Sequence, residues 1–335
     1  MLTRIGDTKG WVRMRGLAIV AVLLALLPAA ARAQEEVVKL GDLPVISNAG
    51  IYIAIEKGYF KEQGIRNEIA SFASAAKMLP ALAAGELEVS VGTASAGLFN
   101  AIAQGAPYRI VADKGQARAG TGYVPLTVRK DLVDSGQVKS VKDLKGKKVA
   151  VFAKAIIQSY LLGKMAEEVG LTIHDFDVTY LGAPSQLTAL ETKAIDAAMT
   201  AEPWATRFEE RGLAVKFRTA EQVKGLGPVQ IAAIMYSGKF IKERRPVAQR
   251  WMDAYIKGAK FYAERGSKDD EVAAILEKHT KVPANVVKAA IPYHQDPQGK
   301  LILESLADQI KWHVANGYLQ KAINVEEAVD LSFLK

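Results

Sequence analysis

At residues 85–107 the chain reads GELEVSVGTASAGLFNAIAQGAP, a strand-like run that empties through Thr93-Ala94-Ser95 into a helix-like run. Small and hydroxyl residues at such a junction let a ligand approach the backbone, and they offer hydroxyl and N–H donors where the helix begins. That is the chemistry of binding without reaction. TASAG approximates the nucleophile elbow G-x-S-x-G, but Thr93 stands where its first glycine is required. The four histidines, His174, His279, His294 and His313, show no metal-ligand spacing, and there is no cysteine. Gly225-Leu226-Gly227 meets Pro228 without a third glycine in register, and no P-loop is present. The pairs Glu209-Glu210 and Asp269-Asp270 read as solvated charges. No catalytic set, metal site or cofactor is expected.

Five further junctions have the same character. They are Ile46-Ser47-Asn48-Ala49, Ala73-Ser74-Ala75, Ala153-Lys154-Ala155, Gly182-Ala183-Pro184 and Ala201-Glu202-Pro203-Trp204. Each serine alone reads as a helix N-cap, and Pro203 suits a first helical position. Taken together, six junctions converging on one cleft point to ligand contact at several of them.

The elements that must position these junctions follow from a pseudo-repeat. Glu68–Thr93 (EIASFASAAKMLPALAAGELEVSVGT) and Phe176–Ala201 (FDVTYLGAPSQLTALETKAIDAAMTA) align at an offset of 108 residues. Each copy reads as strand, helix, strand and the start of another helix, and each is preceded by a further strand–loop–helix unit, near 37–56 and 148–170. Strands alternating with helices of this length imply a largely parallel sheet covered on both faces. Two copies imply two similar lobes. In open sheets of this kind, ligands sit beyond the carboxyl ends of the strands, where all six junctions fall.

Composition sets the bounds. With 335 residues, half of them apolar, the chain can bury a substantial core. Arg4, Lys9, Arg13 and Arg15, the apolar run Leu17 to Leu27, Pro28 and Ala31-Arg32-Ala33 read as an export signal cleaved after Ala33. Removing residues 1–33 takes five basic residues and one acidic residue, so the net charge falls from +8 to +4. The densest basic run, KSVKDLKGKK at 139–148, contains Asp143 and no aromatic residue, so it reads as a solvated turn and nucleic acid is not an expected partner. A mature protein in the periplasm is expected.

From about Val38 onward the chain resembles the periplasmic substrate-binding proteins of ABC importers in the nitrate/sulfonate/taurine group, which includes binders of thiamine-pyrimidine precursors. The resemblance is carried by IYIAIEKGYFKEQGI (51–65), ALAAGELEVSVG, AIAQGAPYRIVA, SVKDLKGKKVAV, AIDAAMTAEPW and VANGYLQKAINVEEAVDLSFL, in that order over nearly the whole mature chain. It implies an α/β, two-lobed periplasmic binding protein of type II, each lobe a mixed, mostly parallel sheet flanked by helices. It also implies a monomer that binds a small molecule between its lobes and passes it to an ABC permease in the inner membrane. The expected organisation is a leader at 1–33, a first lobe at 34–125, a second at 126–231, and a return segment at 232–335. Crossovers are expected near Tyr123–Leu126 and Val229–Ile234.

The resemblance places ligand contacts at Ser47, Asn48, Ala49, Ser74, Ala75, Thr93, Ala94 and Ser95 in the first lobe. In the second it places them at Phe152, Lys154, Gln158, Glu202 and Trp204. Many such proteins open the second lobe with a Gly/Ser-rich segment suited to oxyanions. This chain has Phe152-Ala153-Lys154-Ala155-Ile156-Ile157-Gln158 instead, which argues against nitrate and simple sulfonates and for a carboxylate or sulfonate with an apolar body. Phe152, Ile156, Ile157 and Trp204 suit apolar or stacking walls, and Phe152 and the two isoleucines equally suit strand-end and helix core packing. Lys154 suits an anionic group, or solvent. Glu202 suits a ligand amine, or a helix cap. Thiamine-pyrimidine synthases share a related fold, but they resemble proteins with a cysteine-rich motif that is absent here, so an enzyme is not expected. A sensory receptor remains an alternative use of the same fold.

Overall fold

The computed structural model describes residues 1–2, 35–72 and 74–335, so nearly all of the segment expected to be an export signal, and Ala73, lie outside the described residues. Among the described residues ten strands form two five-stranded sheets. The first holds β1 (Glu36–Asp42), β2 (Ile65–Ser71), β3 (Val89–Thr93), β4 (Tyr108–Ala117) and β10 (Val229–Ser237), in the order β2-β1-β3-β10-β4. The second holds β5 (Leu126–Arg129), β6 (Lys148–Val151), β7 (Asp177–Tyr180), β8 (Ala197–Met199) and β9 (Ala214–Arg218), in the order β7-β6-β8-β5-β9.

The two orders are the same once the chain is followed from lobe to lobe. In each sheet β1–β2 or β6–β7 pair in parallel, and β3 or β8 adds in parallel on the other side. A single antiparallel strand then follows, β10 or β5, with the fourth parallel strand outside it. That antiparallel strand is the one the chain enters from the opposite lobe. The sheets are therefore mixed and mostly parallel, and the molecule is a two-lobed α/β protein.

Residues 118–125 and 219–228 make the two connections between the sheets. The second lies upstream of the position expected from sequence, because Val229 and Gln230 already pair with β4 in the first sheet. Every residue of β10 is buried, so its apolar run carries no alternation to mark which sheet it joins.

After β10 the chain is helical. The Arg245–Arg265 helix begins with Pro246 in its first turn, ends at Gly266, and crosses the Ala49–Glu56 helix at a pair of glycines. A Cβ on Gly258 would stand 2.0 Å from the Gly50 carbonyl oxygen, so only glycine permits this approach. Trp251 from the same helix is buried against Phe60, Tyr236 and Tyr255, which ties the return segment to the first lobe.

The lobes also touch outside the connections. The amide of Ala96, at the start of the Ala96–Ala103 helix, donates to the Ala155 carbonyl at 3.0 Å. Tyr160 Oη donates to Asp308 Oδ2 at 2.6 Å, and Trp312 Nε1 donates to Glu167 Oε1 at 2.8 Å, joining the Ile157–Glu167 and Leu303–Ala315 helices. Among the described residues no helix is long and apolar enough to cross a membrane.

Candidate functional site

Between the sheets, at the carboxyl ends of their parallel strands, lies a cavity of about 530 Å³. All six junctions reach it. The first lobe contributes Ser47 after β1, Ser74 and Ala75 after β2, and Thr93 and Ser95 at and after β3. The second contributes Phe152 after β6, Gln158 in the first turn of the Ile157–Glu167 helix, Ala183 after β7, and Glu202 and Trp204 after β8. The helices starting at these points direct backbone N–H groups toward the cavity, as their topology requires.

The serines divide by what their hydroxyls already do. Ser95 Oγ accepts from Leu98 N at 3.2 Å, so it is a helix cap. Ser74 occupies the N-cap position of the Ala75–Ala84 helix but makes no capping bond, which leaves its hydroxyl to the cavity. Ser47 Oγ accepts from Lys114 Nζ at 3.0 Å. Gln158 is buried with its Oε1 unpaired on the wall.

Four residues expected at the site do not line it. Asn48 is fully buried behind the wall, and Ala49 and Ala94 are packed in the core. Lys154 is exposed, with its ammonium 6.0 Å from the Tyr318 ring of the return segment. Solvation of the charge outside the cavity accounts for that placement, with Ala155 beside it in a left-handed turn at φ 57°. Glu202 lies on the wall, but its carboxylate is already engaged. Lys216 Nζ stands 3.0 Å away, and the amides of Thr206 and Ile291 donate to it at 2.9 and 3.1 Å. It caps the Trp204–Glu210 helix and joins that helix to the return segment, so a ligand amine finds no free carboxylate there.

The residues that sequence reasoning missed are the charged ones. Lys114, in the middle of β4, lines the cavity at only 2% exposure. Its ammonium donates to Ser47 Oγ and, at 2.6 Å, to Asn48 Oδ1. Asn48 Nδ2 in turn donates to Asp42 Oδ1 at 2.6 Å, and Tyr52 Oη donates to Asp42 Oδ2 at 2.8 Å. Burial pushes Lys114 down to about 8, against the attraction of Asp42 and Asp113. The same burial raises Asp42, and raises Asp113 to about 7. An ammonium has three hydrogens and two are spent on the protein, so one remains at the cavity wall.

In the second lobe Arg207 lines the cavity with its guanidinium 4.8 Å from the centre of the Trp204 ring. Phe152, Ile156, Ile157, Val124 and Ile231 make the wall between these charges largely apolar. A signal for Lys114 was present in RIVADKG, where two charges interrupt an apolar run leading to an inter-lobe connection. Among the described residues no cluster of His, Asp and Glu could hold a metal ion.

The family model described as NMT1/THI5 like matches residues 46–267, more than half of the chain. The chain belongs to the NMT1/THI5-like family. No curated protein matches it at the level of sequence. Among solved structures it is similar to the alkanesulfonate-binding protein SsuA from Xanthomonas axonopodis pv. citri bound to MOPS, with 18% identity and a TM-score of 0.72, covering 89% of this chain and 99% of that one. It is also similar to the periplasmic nitrate-binding protein NrtA from Synechocystis PCC 6803, with 15% identity and a TM-score of 0.66, covering 87% and 84%. The desulfurization enzyme DSZB shares the fold as well, with 14% identity and a TM-score of 0.62, covering 89% and 97%. At such identities the likeness is one of fold, and the periplasmic binding protein architecture expected from sequence is the one observed. Because the fold serves binders and an enzyme alike, function must be argued from the site of this NMT1/THI5-like chain.

Proposed function

We propose that this protein is an extracytoplasmic solute receptor. It closes its lobes over a small organic anion, a carboxylate or sulfonate with an apolar body, and delivers it to an ABC permease. The leader at 1–33 is removed on export, and the mature chain, 34–335, works as a monomer in the periplasm.

The observation that carries this reading is Lys114, a buried cation on the wall of a largely apolar cavity with one ammonium hydrogen unspent. A buried charge is costly unless paired, and an incoming anion supplies the missing partner. Ser47, Ser74, Thr93, Ser95 and Gln158 provide polar contacts, while Phe152, Ala75 and Trp204 contact the apolar body. Ser47 stands beside Lys114, but the ammonium donates to the Ser47 oxygen and is held by Asn48 as well, an arrangement that favours binding over turnover.

A thermal-shift screen of residues 34–335 against sulfonates, nitrate, aliphatic and aromatic carboxylates, pyrimidines and flavins tests the reading. An anion at about a hundred times its Kd adds roughly 2.7 kcal/mol and raises Tm visibly. Recovery of the compound unchanged after incubation is expected. A shift confined to cations or neutral compounds, or conversion of the bound compound, overturns the proposal.

A further inference from the structure

Two of the three cations at the cavity, Lys114 and Arg207, belong to different lobes, and among the described residues the wall holds no free acid to answer either. Lys114 comes from β4 of the first sheet and Arg207 from the Trp204–Glu210 helix beside the second. Among the described residues Arg207 makes no ion pair, its planar group lying against Trp204. The carboxylate on the wall, Glu202, is neutralised by Lys216 and two backbone amides. Lys281, a third cation at the cavity, is exposed and donates to the Lys278 carbonyl.

We propose that the cavity takes an organic dianion whose two acid groups are held by different lobes, one at Lys114 and the other at Arg207. The inference rests on the anion reading above and narrows it. Like charges facing one cleft across apolar walls repel more strongly than in water, which favours separated lobes. A single anion relieves one of them. A dianion relieves both and ties one lobe to the other through its own body, so binding and closure become one event. Phe152, Ile156 and Ile157 suit an apolar spacer between the acid groups, and a cavity of about 530 Å³ accepts a six-carbon chain or a benzene ring. The guanidinium presents a planar fork to a carboxylate, while the ammonium of Lys114 offers a single donor, so the two ends of the ligand are not held alike.

Isothermal titration of the mature chain with two matched sets of probes tests this: benzoate, terephthalate and terephthalamide, and hexanoate, adipate and adipamide. In at least one set the diacid is expected to bind at least tenfold more tightly than its monoacid, with the diamide weaker than both. Lys114→Met and Arg207→Met are each expected to reduce the diacid to the affinity of the monoacid. Arg207 lies on the surface of the cavity rather than in the core, so its variant and the comparison on the unmodified chain hold even if Lys114→Met folds poorly. Equal affinity for monoacid and diacid, or sensitivity to Lys114→Met alone, overturns the dianion inference and leaves an organic-anion receptor standing. Failure of every acid in both sets to bind also overturns it. A diamide that binds in the diacid's place overturns the anion reading of the cavity as well.

Discussion

At the scale of the residue, the proposed receptor depends on Lys114 to hold an anion, and the protonation of Lys114 is set by where it sits. Desolvation lowers it to about 8, with Asp42 and Asp113 pulling the other way. Its folded value is thus below its ordinary 10.5, so the ammonium costs stability below about pH 8, and the cost disappears as pH rises through 10.5. For an anionic ligand the sign is reversed. Binding favours the ammonium, so affinity is full below about pH 8 and falls by roughly tenfold per unit above it. The neighbouring Tyr123 does not share this profile, because burial pushes it well above its ordinary range. Titration calorimetry with the tightest acid at pH 7, 8 and 9 measures it, and Lys114→Met flattens the profile. The same variant lowers affinity at pH 7 by about 1.5–3 kcal/mol, the worth of a hydrogen bond to a charged group. Sequence pattern pointed to Ser47, Ser74, Thr93, Ser95 and Trp204 because strand ends face the cleft in such sheets, and Phe152 and Gln158 were implied by the family resemblance. It missed Lys114 because a mid-strand lysine ordinarily turns to solvent, and only the third dimension shows β4 covered on both faces.

Among the elements, the helix Ile157–Glu167 carries one end of the site and also a contact between the lobes. Gly163 sits in its interior, where alanine would ordinarily add about 1 kcal/mol. Here a Cβ would stand 2.2 Å from Trp312 Cζ2, in the Leu303–Ala315 helix of the return segment. Gly163→Ala should therefore destabilise the protein by about 1–3 kcal/mol, the usual cost of overpacking, instead of stabilising it. Urea unfolding distinguishes the two signs, and Trp312→Ala in the same chain should restore part of the helix-propensity gain. Elements of this kind were legible where they obey a local period. The strands β2, β3, β7 and β8 stand out at their 108-residue offset, and their helices begin at small residues or proline. β5 and β10 were not legible as antiparallel partners, because which sheet a strand joins depends on the path of the chain between lobes. Residues 229–231 were for that reason assigned to the wrong lobe.

For the whole molecule, the proposed function makes closure of the lobes about their two connections the event that binding would drive. The lobes meet beside the cavity, where the Ala96 amide donates to the Ala155 carbonyl at 3.0 Å and joins the first helix turn after Ser95 to the loop after Phe152. Both residues lie beside the cavity wall without lining it. A backbone hydrogen bond brings two residues within the reach of a disulfide, and the chain has no cysteine to interfere. The double variant Ala96→Cys/Ala155→Cys should form an intramolecular bond under mild oxidation, and form it faster when the cavity is filled by a diacid that draws the lobes together. Oxidation after loading should slow release of that ligand at least tenfold, and reduction should restore the original rate. Oxidation before loading should block uptake to a similar degree. If oxidised and reduced forms exchange ligand at equal rates, entry does not pass between these two residues, and lobe opening is not the step that admits the solute.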